Sequence, residues 1–565
     1  MGSGAVRTHE RPLADYGLLG DTRACALVAS DGSVDWMCLP RFDGDPVFGR
    51  LVGGDKAGTF RMGPRDPDAR VVSRCYLPGT ATLETTWTTP SGRLTLTEGM
   101  VADLGGRLLP PTLLVRRLSA TDGPVEAAIE FDPRMGDGRV APRTEARRDA
   151  LVCSFRATAL ALTTSLHLAP ERCGSTRVVV DPDRPVVTAL AAADREPLVI
   201  VDPEHAWVTL QTDGRGWQDW CADVARDLPH RDAVVRSLVT LRLLTYSPSG
   251  APVAAPTTSL PEHPGGSRNW DYRYAWPRDA SIGVAAFLGV GKGQEARHFL
   301  AWLLHASRLD RPRLPVLLTL HGRHPPRERE LEGWPGYAGS QPVRVGNGAA
   351  DQHQLDGYGW VLDAAWLLVA AGHHLYSETW RALRIARTHR TPKAKVLRWR
   401  TEREALAADV RTSGFDAHAN SYTRSYGSTE LDAALLVLPL LHLEPRDSSR
   451  VLGTLDAIAR ELTAGGPLLY RYPPGHDGLP GTEGAFLPCS FWYAQALAAT
   501  GQVDRAEAQL DRLVGLATPL GLYAEELDPT THAHLGNFPQ ALTHAGLVQA
   551  ALAIRSARHT ASSGS

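Results

Sequence analysis

The chain has 565 residues, too many for a single hydrophobic core, so two or three domains are expected. Its formal net charge is −2, which gives no basic field to attract nucleic acid or an anionic membrane surface. No apolar run approaches the ~18 residues of a membrane span, and the first sixteen residues lack the apolar core of a secretory signal. The seven cysteines are scattered without Cys-x-x-Cys spacing, as in reduced proteins, so we expect a cytoplasmic protein.

The first two hundred residues have the pattern of short β-strands. Residues 24–30 and 33–39 are apolar runs on either side of the Asp31–Gly32 pair, a strong hairpin signal. Residues 82–88 and 93–98 alternate polar and apolar side chains around a Pro-Ser-Gly turn. Strands this short and this regularly interrupted predict a β-sandwich domain over residues 1–203 rather than βαβ units.

From about residue 204 the pattern of apolar residues changes to that of helices. Trp217, Trp220, Val224 and Leu228 follow helical spacing, which predicts a linker helix over residues 204–229. Residues 230–558 are assigned to a helical domain, and residues 559–565 to a disordered tail. Many apolar helices fit a bundle, a solenoid or a closed ring of hairpins, and the absence of a visible ~34–45-residue repeat disfavours the solenoid. The apolar helical stretches are 234–244, 280–290, 296–304, 357–371, 430–443, 489–499 and 544–557.

Three loops of the helical domain concentrate aromatic, arginine and acidic residues. Residues 268–279 contain two Trp, two Tyr, three Arg and two Asp, and residues 331–358 and 523–540 are similarly mixed. One such loop is explained by packing and helix capping, but three in one domain favour a sugar site. The apolar faces of a sugar stack on aromatic rings, and its hydroxyl groups take bidentate polar partners.

Other chemistries lack the necessary motifs. We find neither Gly-x-Ser-x-Gly nor His-Glu-x-x-His, and neither a dinucleotide fingerprint nor a P-loop. His373 and His374 precede Glu378, but only one of the two histidines can share a helical face with it, which leaves a metal short of ligands. We therefore expect no cofactor and no metal, and a small carbohydrate or sugar-like ligand as partner.

Several motifs resemble glycoside hydrolase family 15, which includes bacterial glucoamylase-like enzymes and trehalases. Residues 16–21, 31–36 and 39–42 resemble its N-terminal segment, and residues 254–262, 268–279 and 525–540 resemble its barrel motifs. The resemblance covers nearly the whole chain. It implies a β-sandwich, a linker and an (α/α)6-type barrel whose active site lies at one mouth.

The resemblance also implies site residues. Family members invert the anomeric carbon, with one carboxylic acid protonating the glycosidic oxygen and a second carboxylate activating water. The base matches Glu525, with Glu526 as its neighbour, and we expect Glu525 in the barrel mouth within ~10 Å of Asp279. The predicted substrate-binding residues are Trp276, Arg278, Asp279, Trp334, Gln354, Asp356, Arg471 and Glu483.

The segment that carries the general acid in similar enzymes is the main departure. There the acid lies on a Trp-Glu loop followed by a helix, whereas here Trp380 leads through Thr391 directly to a segment that already resembles the later helix, at Trp399. Trp360 also stands where the family pattern suggests Glu. The barrel is therefore predicted to be incomplete, with its apolar flanks covered either by a second copy or by residues 381–399. The candidates for a replacement acid are Glu378, Glu402, Glu404 and Glu483.

Three functions follow from this combination. The first is a hydrolase of a small α-glucoside whose general acid is recruited from elsewhere in the chain. The second is a non-hydrolytic acid/base enzyme on the same barrel, such as a cyclase or isomerase of specialised metabolism. The third is a non-catalytic carbohydrate-binding protein. The fold alone does not choose between them.

Overall fold

The computed structural model describes residues 11–102, 112–147, 149–166, 172–308, 310, 313–373, 393–441, 443–476 and 478–563. Within these ranges, none of the helices combines the length and the apolar character needed to cross a membrane.

Two antiparallel sheets form the N-terminal part. The strands are β1 Gly17–Gly20, β2 Cys25–Val28, β3 Ser33–Leu39, β4 Asp45–Phe48, β5 Thr59–Pro64, β6 Arg70–Tyr76, β7 Leu83–Thr89, β8 Gly92–Met100, β9 Thr112–Thr121, β10 Val125–Asp132, β11 Arg143–Arg147, β12 Ala150–Phe155, β13 Thr158–Thr164, β14 Gly174–Val180 and β15 Val186–Asp194, with the single turn α1 Arg50–Gly53 after β4. The first sheet has the order β1-β2-β3-β5-β10-β14, with β4 beside β3, and the second has the order β11-β12-β13-β15-β9-β8-β7-β6. The predicted β-sandwich is confirmed.

Alternation of side chains places the core between the sheets. In β7, Leu83, Thr85 and Trp87 are buried, and Trp87 pairs with Leu94 of β8. The predicted hairpin also forms, because Gly32 has φ +79° and a Cβ there would lie 2.0 Å from the Met62 carbonyl oxygen. Only glycine fits this turn.

A buried ion pair ties the two sheets together. The Arg116 guanidinium donates from Nε to Glu98 Oε2 at 2.8 Å, and both side chains are fully buried. Arg116 also donates to the carbonyl oxygens of Phe60 and Gly32 in the opposite sheet. Because its donors are satisfied on both sheets, the charge is tolerated inside the core.

The linker helix α2, Pro203–Ala222, begins where the strand pattern ends. Asp202 caps it by accepting a hydrogen bond from the His205 N–H at 2.9 Å, and Pro203 occupies the first turn. Ala206 and Leu210 pack with Val101 and Leu113 on the outer face of the second sheet. The linker is thus part of the N-terminal packing rather than a loose tether.

Helices dominate the remainder of the chain. They are α3 Arg231–Leu243, α4 Pro277–Gly289, α5 Gly293–Ala306, α6 Asp356–Ala370, α7 Lys393–Ser413, a 3-10 segment Ala433–Leu440, α8 Ser449–Glu461, α9 Leu487–Ala499, α10 Val503–Val514 and α11 Ala541–Ser563. Short strands join them: β16 Thr245–Tyr246, β17 Ala251–Pro252, β18 Arg329–Glu330, β19 Arg344–Val345, β20 Phe415–Asp416, β21 Ser421–Tyr422, β22 Thr463–Gly465, β23 Leu468–Leu469, β24 Ala485–Phe486, β25 Glu526–Leu527 and β26 His534–Leu535.

Two predictions about the helical part are wrong, and two helices were not predicted. The apolar stretch 430–443 forms only the 3-10 segment, since Pro439 lies inside it and offers no N–H. The predicted tail is wrong for residues 559–563, because α11 continues to Ser563 and His559 contacts Asp227 at 3.1 Å. Helices α8 and α10 escaped prediction because each buries only one face.

Among the residues that the structure describes, the helical ring is incomplete, as predicted. Ten helical segments of eight residues or more occur in the described part of residues 231–563, whereas six hairpins require twelve. Residues 374–392, which contain Glu378, Trp380 and most of the segment proposed to cover the gap, lie outside the described residues.

Candidate active site

Loops at one end of the helical ring form a pocket of about 170 Å³. The pocket is lined by segments from three parts of the sequence: residues 254–279, residues 471–486 and residues 525–542. Seven predicted site residues are among its lining residues, namely Trp276, Arg278, Asp279, Arg471, Glu483, Glu525 and Glu526.

Glu525 is held firmly in the pocket wall. Its Oε1 accepts hydrogen bonds from the Tyr272 hydroxyl at 2.9 Å and from Gln540 Nε2 at 3.1 Å. Thr543 donates to Gln540 Oε1 at 2.7 Å, which fixes the amide so that its NH₂ group faces Glu525. Gly536, at φ +75°, allows this packing, because a Cβ there would lie 3.0 Å from the Glu525 side chain.

The pocket is strongly acidic for a buried site. Burial raises the pKa of the Glu525 carboxyl well above its ordinary value, and the charges of Glu262, Asp279 and Glu483 raise it further. The Tyr272 hydrogen bond acts in the opposite direction. Burial and the charges of Glu262 and Glu525 also raise the pKa of Glu526. Glu525 and Glu526 therefore hold protons to a higher pH than isolated glutamates do.

An arginine lies inside this group of carboxyls. Arg268 donates from Nε to Glu262 Oε2 at 3.0 Å, and its Nη2 lies 3.0 Å from Glu483 Oε1. One oxygen each from Glu262, Glu483 and Glu526 lies within 4.8 Å of the others, a spacing that could hold a cation. Since Arg268 already supplies the positive charge there, we interpret the cluster as an ion-pair network.

The opposite wall is organised by Arg278. Its Nε donates to Asp279 Oδ1 at 2.7 Å, and its Nη1 donates to Gln354 Oε1 at 3.3 Å. The same Nη1 lies 3.9 Å from Asp356 Oδ2, and the guanidinium lies 5.6 Å from the ring centre of Trp276. Gln354 and Asp356 thus join the site through Arg278, although they are not part of the pocket lining.

Two donors in the pocket wall are buried without a hydrogen-bond partner in the described part of the chain. They are Trp276 Nε1 and Arg471 Nε, the latter 3.7 Å from Asp432 Oδ1. Arg471 also lies 5.1 Å from the ring centre of Tyr472 and 5.9 Å from that of Phe486. Unsatisfied buried donors beside aromatic rings suit a polar ligand with hydroxyl acceptors.

Comparison with known proteins assigns the chain. The model of "Glycosyl hydrolases family 15" matches residues 229–389 and 380–552, and the model "Trehalase-like, N-terminal" matches residues 6–195. The chain belongs to glycosyl hydrolase family 15. The family resemblance of the sequence motifs is thereby confirmed.

Similar family 15 proteins include several trehalases. The trehalase of Mycolicibacterium smegmatis is 35% identical over 98% of this chain and 92% of its own length. That of Mycobacterium tuberculosis is 34% identical over 99% and 92%, and that of Thermoplasma volcanium is 30% identical over 95% and 92%. A bacterial glucoamylase solved in complex with acarbose has a TM-score of 0.65 over 97% of this chain and 94% of that one, at 13% identity, and so shares the fold.

The alignments also show that this family 15 chain lacks residues that a relative has. The alignment with the M. smegmatis trehalase runs over 625 positions, more than the 565 residues of this chain, so that relative has residues that this chain lacks. The two matches to the family model overlap at residues 380–389. This is the region to which the family resemblance assigns the general acid.

One predicted sugar contact of this family 15 protein, Trp334, lies outside the pocket lining. Trp334 is 4% exposed and its ring packs into the N-terminal domain. A Cβ on Gly53 or on Gly138 would lie 2.9 Å from Trp334 ring atoms. The loop that carries it crosses the sandwich, so the ring fills a gap between the domains.

The candidate acids differ in position. Glu483 borders the pocket, with its side chain 18% exposed, whereas Glu402 and Glu404 are exposed on α7. The sequence analysis missed Tyr272, Glu262, Gln540, Tyr472 and Phe486 as individual pocket residues. Tyr272, Gln540 and Tyr472 stand beside or within motifs rich in predicted site residues. Which side chains of such a motif turn into the pocket depends on tertiary packing.

Proposed function

We propose that this protein is an inverting glycoside hydrolase of a small α-glucoside, trehalose first, in which Glu525 acts as the general base. The observation that supports the proposal most is the fixed Glu525 carboxylate facing the Arg278–Asp279 pair and Arg471 across one pocket. Relatives named trehalase that align over nearly the full chain support the choice of substrate.

The hydrogen bonds around Glu525 suit a base. Oε1 is occupied by Tyr272 and Gln540, whereas Oε2 has no hydrogen-bond partner in the described residues. Oε2 is therefore the oxygen that would accept the proton of the attacking water. The pocket is small, which suits one sugar ring rather than a long glucan chain.

Three of the four candidates for the general acid lie among the described residues. A general acid must be protonated, but Glu483 faces Arg268 at 3.0 Å, and that positive charge favours its ionised form. Glu402 and Glu404 point to solvent from α7. Losing general-acid assistance typically costs about 10²–10⁴-fold in rate. We therefore propose slow hydrolysis of natural disaccharides, limited by departure of the sugar oxygen.

Sugar binding without turnover is the second candidate function. It is favoured by the absence of a Trp-Glu pair from the segment where the family resemblance expects the acid. The pocket groups Trp276, Arg278, Asp279 and Arg471 lie outside that segment and retain their contacts. A non-hydrolytic acid/base reaction would use the same groups.

The test compares two substrates that need different amounts of acid assistance. We expect α-glucosyl fluoride to react faster than trehalose or maltose, because fluoride leaves with little protonation. Proton NMR should detect β-glucose as the first product, and Glu525→Gln should lower the fluoride rate by about 10²-fold or more. Glu404→Gln, on exposed α7, is the matched control and should react like wild type.

Three outcomes would change the assignment. Trehalose turnover at about 1–10³ per second that survives in Glu525→Gln would exclude this base. Fast trehalose turnover that is lost in both Glu525→Gln and Glu483→Gln would make Glu483 the acid. Saturable binding of trehalose by calorimetry with no turnover of either substrate would favour the binding protein.

A further inference from the structure

A second cavity, of about 700 Å³, lies behind the segment that carries Glu525. Three parts of the molecule meet there: the end of β6 with the residues after it, the end of α2, and the start of α3 with residues 514–523. None of the groups that line the catalytic pocket is among its lining residues. It is therefore a separate cavity at the junction of the domains.

Arg236 of α3 dominates this cavity. Its guanidinium lies 3.7 Å from the ring centre of Tyr76 and donates from Nη2 to the Thr80 carbonyl oxygen at 3.0 Å. These two contacts fix the group in place. Burial lowers the pKa of Arg236, and the groups that favour its charged form are Tyr76 and Cys221 rather than a carboxylate.

The charge of Arg236 has no carboxylate counterpart among the described residues that line the cavity. The only acidic lining residue in that set is Asp232, which is fully exposed and lies 4.0 Å from Arg231. Arg236 is partly buried, and a partly buried cation without a nearby anion is unfavourable, so an anion in the cavity would stabilise the fold as well as bind.

The first turn of α3 faces the same cavity. Arg231, Asp232 and Ala233 are lining residues, and the N-cap His230 makes no side-chain capping hydrogen bond. The N–H groups of a first helical turn have no partner within the helix and favour negative charge. The positive end of the α3 helix dipole and the Arg236 guanidinium therefore both favour negative charge in this cavity.

We propose that this cavity binds a small organic anion, a molecule with one carboxylate or phosphate group, and that Arg236 is the anchor. Pro78, Val235 and Leu520 give the cavity apolar walls, which would pack against the body of the ligand while the anionic group contacts the guanidinium. A bare inorganic ion would leave most of this volume to water.

Such a ligand would contact the backbone that leads to Glu525. Tyr523 lines the cavity, and its N–H donates to His544 Nε2 at 3.3 Å while its carbonyl oxygen accepts from the Gln540 N–H at 2.9 Å. Glu525 follows two residues later and faces the other pocket. The anion site does not depend on the proposed hydrolase function, because its test measures binding.

Binding is tested with the full-length protein at constant ionic strength. Butyrate and glycerol phosphate serve as the carboxylate and phosphate probes, inorganic phosphate as the ion without an organic body, and chloride as the reference. We expect one organic probe to bind by calorimetry, to raise the melting temperature and to slow alkylation of Cys75, an exposed thiol on the cavity wall. Which of them binds identifies the anionic group.

Two variants on this cavity and one control decide the assignment. Arg236→Met should weaken binding by at least about tenfold, because a charge-assisted hydrogen bond is lost. Ala233→Trp should weaken it similarly by filling the cavity while leaving Arg236 in place. Arg226→Gln removes an equal charge from the nearby exposed surface and should bind like wild type.

The proposal is overturned by either of two results. One is that no probe binds to wild type or protects Cys75. The other is that Arg236→Met and Ala233→Trp, both folded by circular dichroism, retain wild-type affinity and Cys75 protection.

Discussion

The two sides of the helical ring are packed very differently. Eleven of the thirteen residues of α9 are buried, and the rings of Phe491 and Tyr523 meet edge-on at 5.6 Å. On the other side, Leu362 and Trp366 of α6 are 42% and 61% exposed, and no described side chain of α7 is buried. Glu525 belongs to the first side.

The largest expected effect is the difference in stability between the two sides. Phe491→Ala should lower the free energy of unfolding by about 3–5 kcal/mol, because it leaves a cavity among α9, Tyr523 and α11. Trp366→Ala should change it by less than about 1 kcal/mol, because most of that ring is exposed. Urea unfolding followed by circular dichroism measures both. Equal losses would show that α6 is covered in solution.

The packed side should also lose stability in acid. Burial lowers the pKa of His544 to about 3 and that of His534 to about 4, below the ordinary 6.5, so the unfolded chain binds more protons below pH 6.5. Stability should therefore fall between pH 6.5 and pH 4, by about 1.4 kcal/mol per pH unit for each histidine.

The acidic pocket opposes that trend. The raised pKa values of Glu525 and Glu526 make stability rise as the pH falls through them toward the ordinary 4.5. His544→Gln should flatten the acid loss, whereas Glu526→Gln should steepen it. Melting temperatures from pH 4 to pH 8 give the slopes, and equal slopes in the two variants would contradict this account.

A smaller effect is expected at the base itself. Tyr272→Phe removes a hydrogen bond that favours the charged form of Glu525, so the pKa of this carboxyl should rise. The acidic limb of the pH–rate profile for α-glucosyl fluoride should move to higher pH, with roughly a tenfold lower rate at neutral pH. A lower rate with an unmoved limb would mean that Tyr272 only fills space.

The smallest effect concerns assembly. We propose that a second copy covers the exposed apolar residues of α6 and α7, Leu362, Trp366, Leu397 and Leu406. Sedimentation should then show concentration-dependent self-association in wild type and less in Trp366→Ser. Val208→Ser, which is 55% exposed on α2, is the matched control. A monomer at all concentrations would remove this interface.

The sequence predicted the strands and the apolar helices better than the amphipathic helices. Alternation in β7 and the Asp31–Gly32 turn were sufficient for the sandwich, and apolar stretches were sufficient for α4 and α9. Amphipathic α8 and α10 lacked such a stretch, and Pro439 converted a predicted helix into a 3-10 turn. In the site, the family resemblance indicated Glu525 and Arg278, but the inward turn of Tyr272 and the position of Trp334 against the sandwich depend on which loops meet.

The position of Trp334 makes the sandwich part of the catalytic scaffold. The ring is wedged against Gly53 and Gly138, and two residues beyond the tryptophan the Gly336 N–H donates to the Val52 carbonyl oxygen at 3.0 Å. Trp36 of the sandwich reaches back with a hydrogen bond to the Pro256 carbonyl oxygen at 2.8 Å. The helical ring and the sandwich thus pack together as one unit and should be engineered together. A helical ring expressed alone would lose the sandwich surface against which the Trp334 loop packs. A sandwich exchanged between relatives must keep glycine at positions 53 and 138, where the Trp334 ring packs.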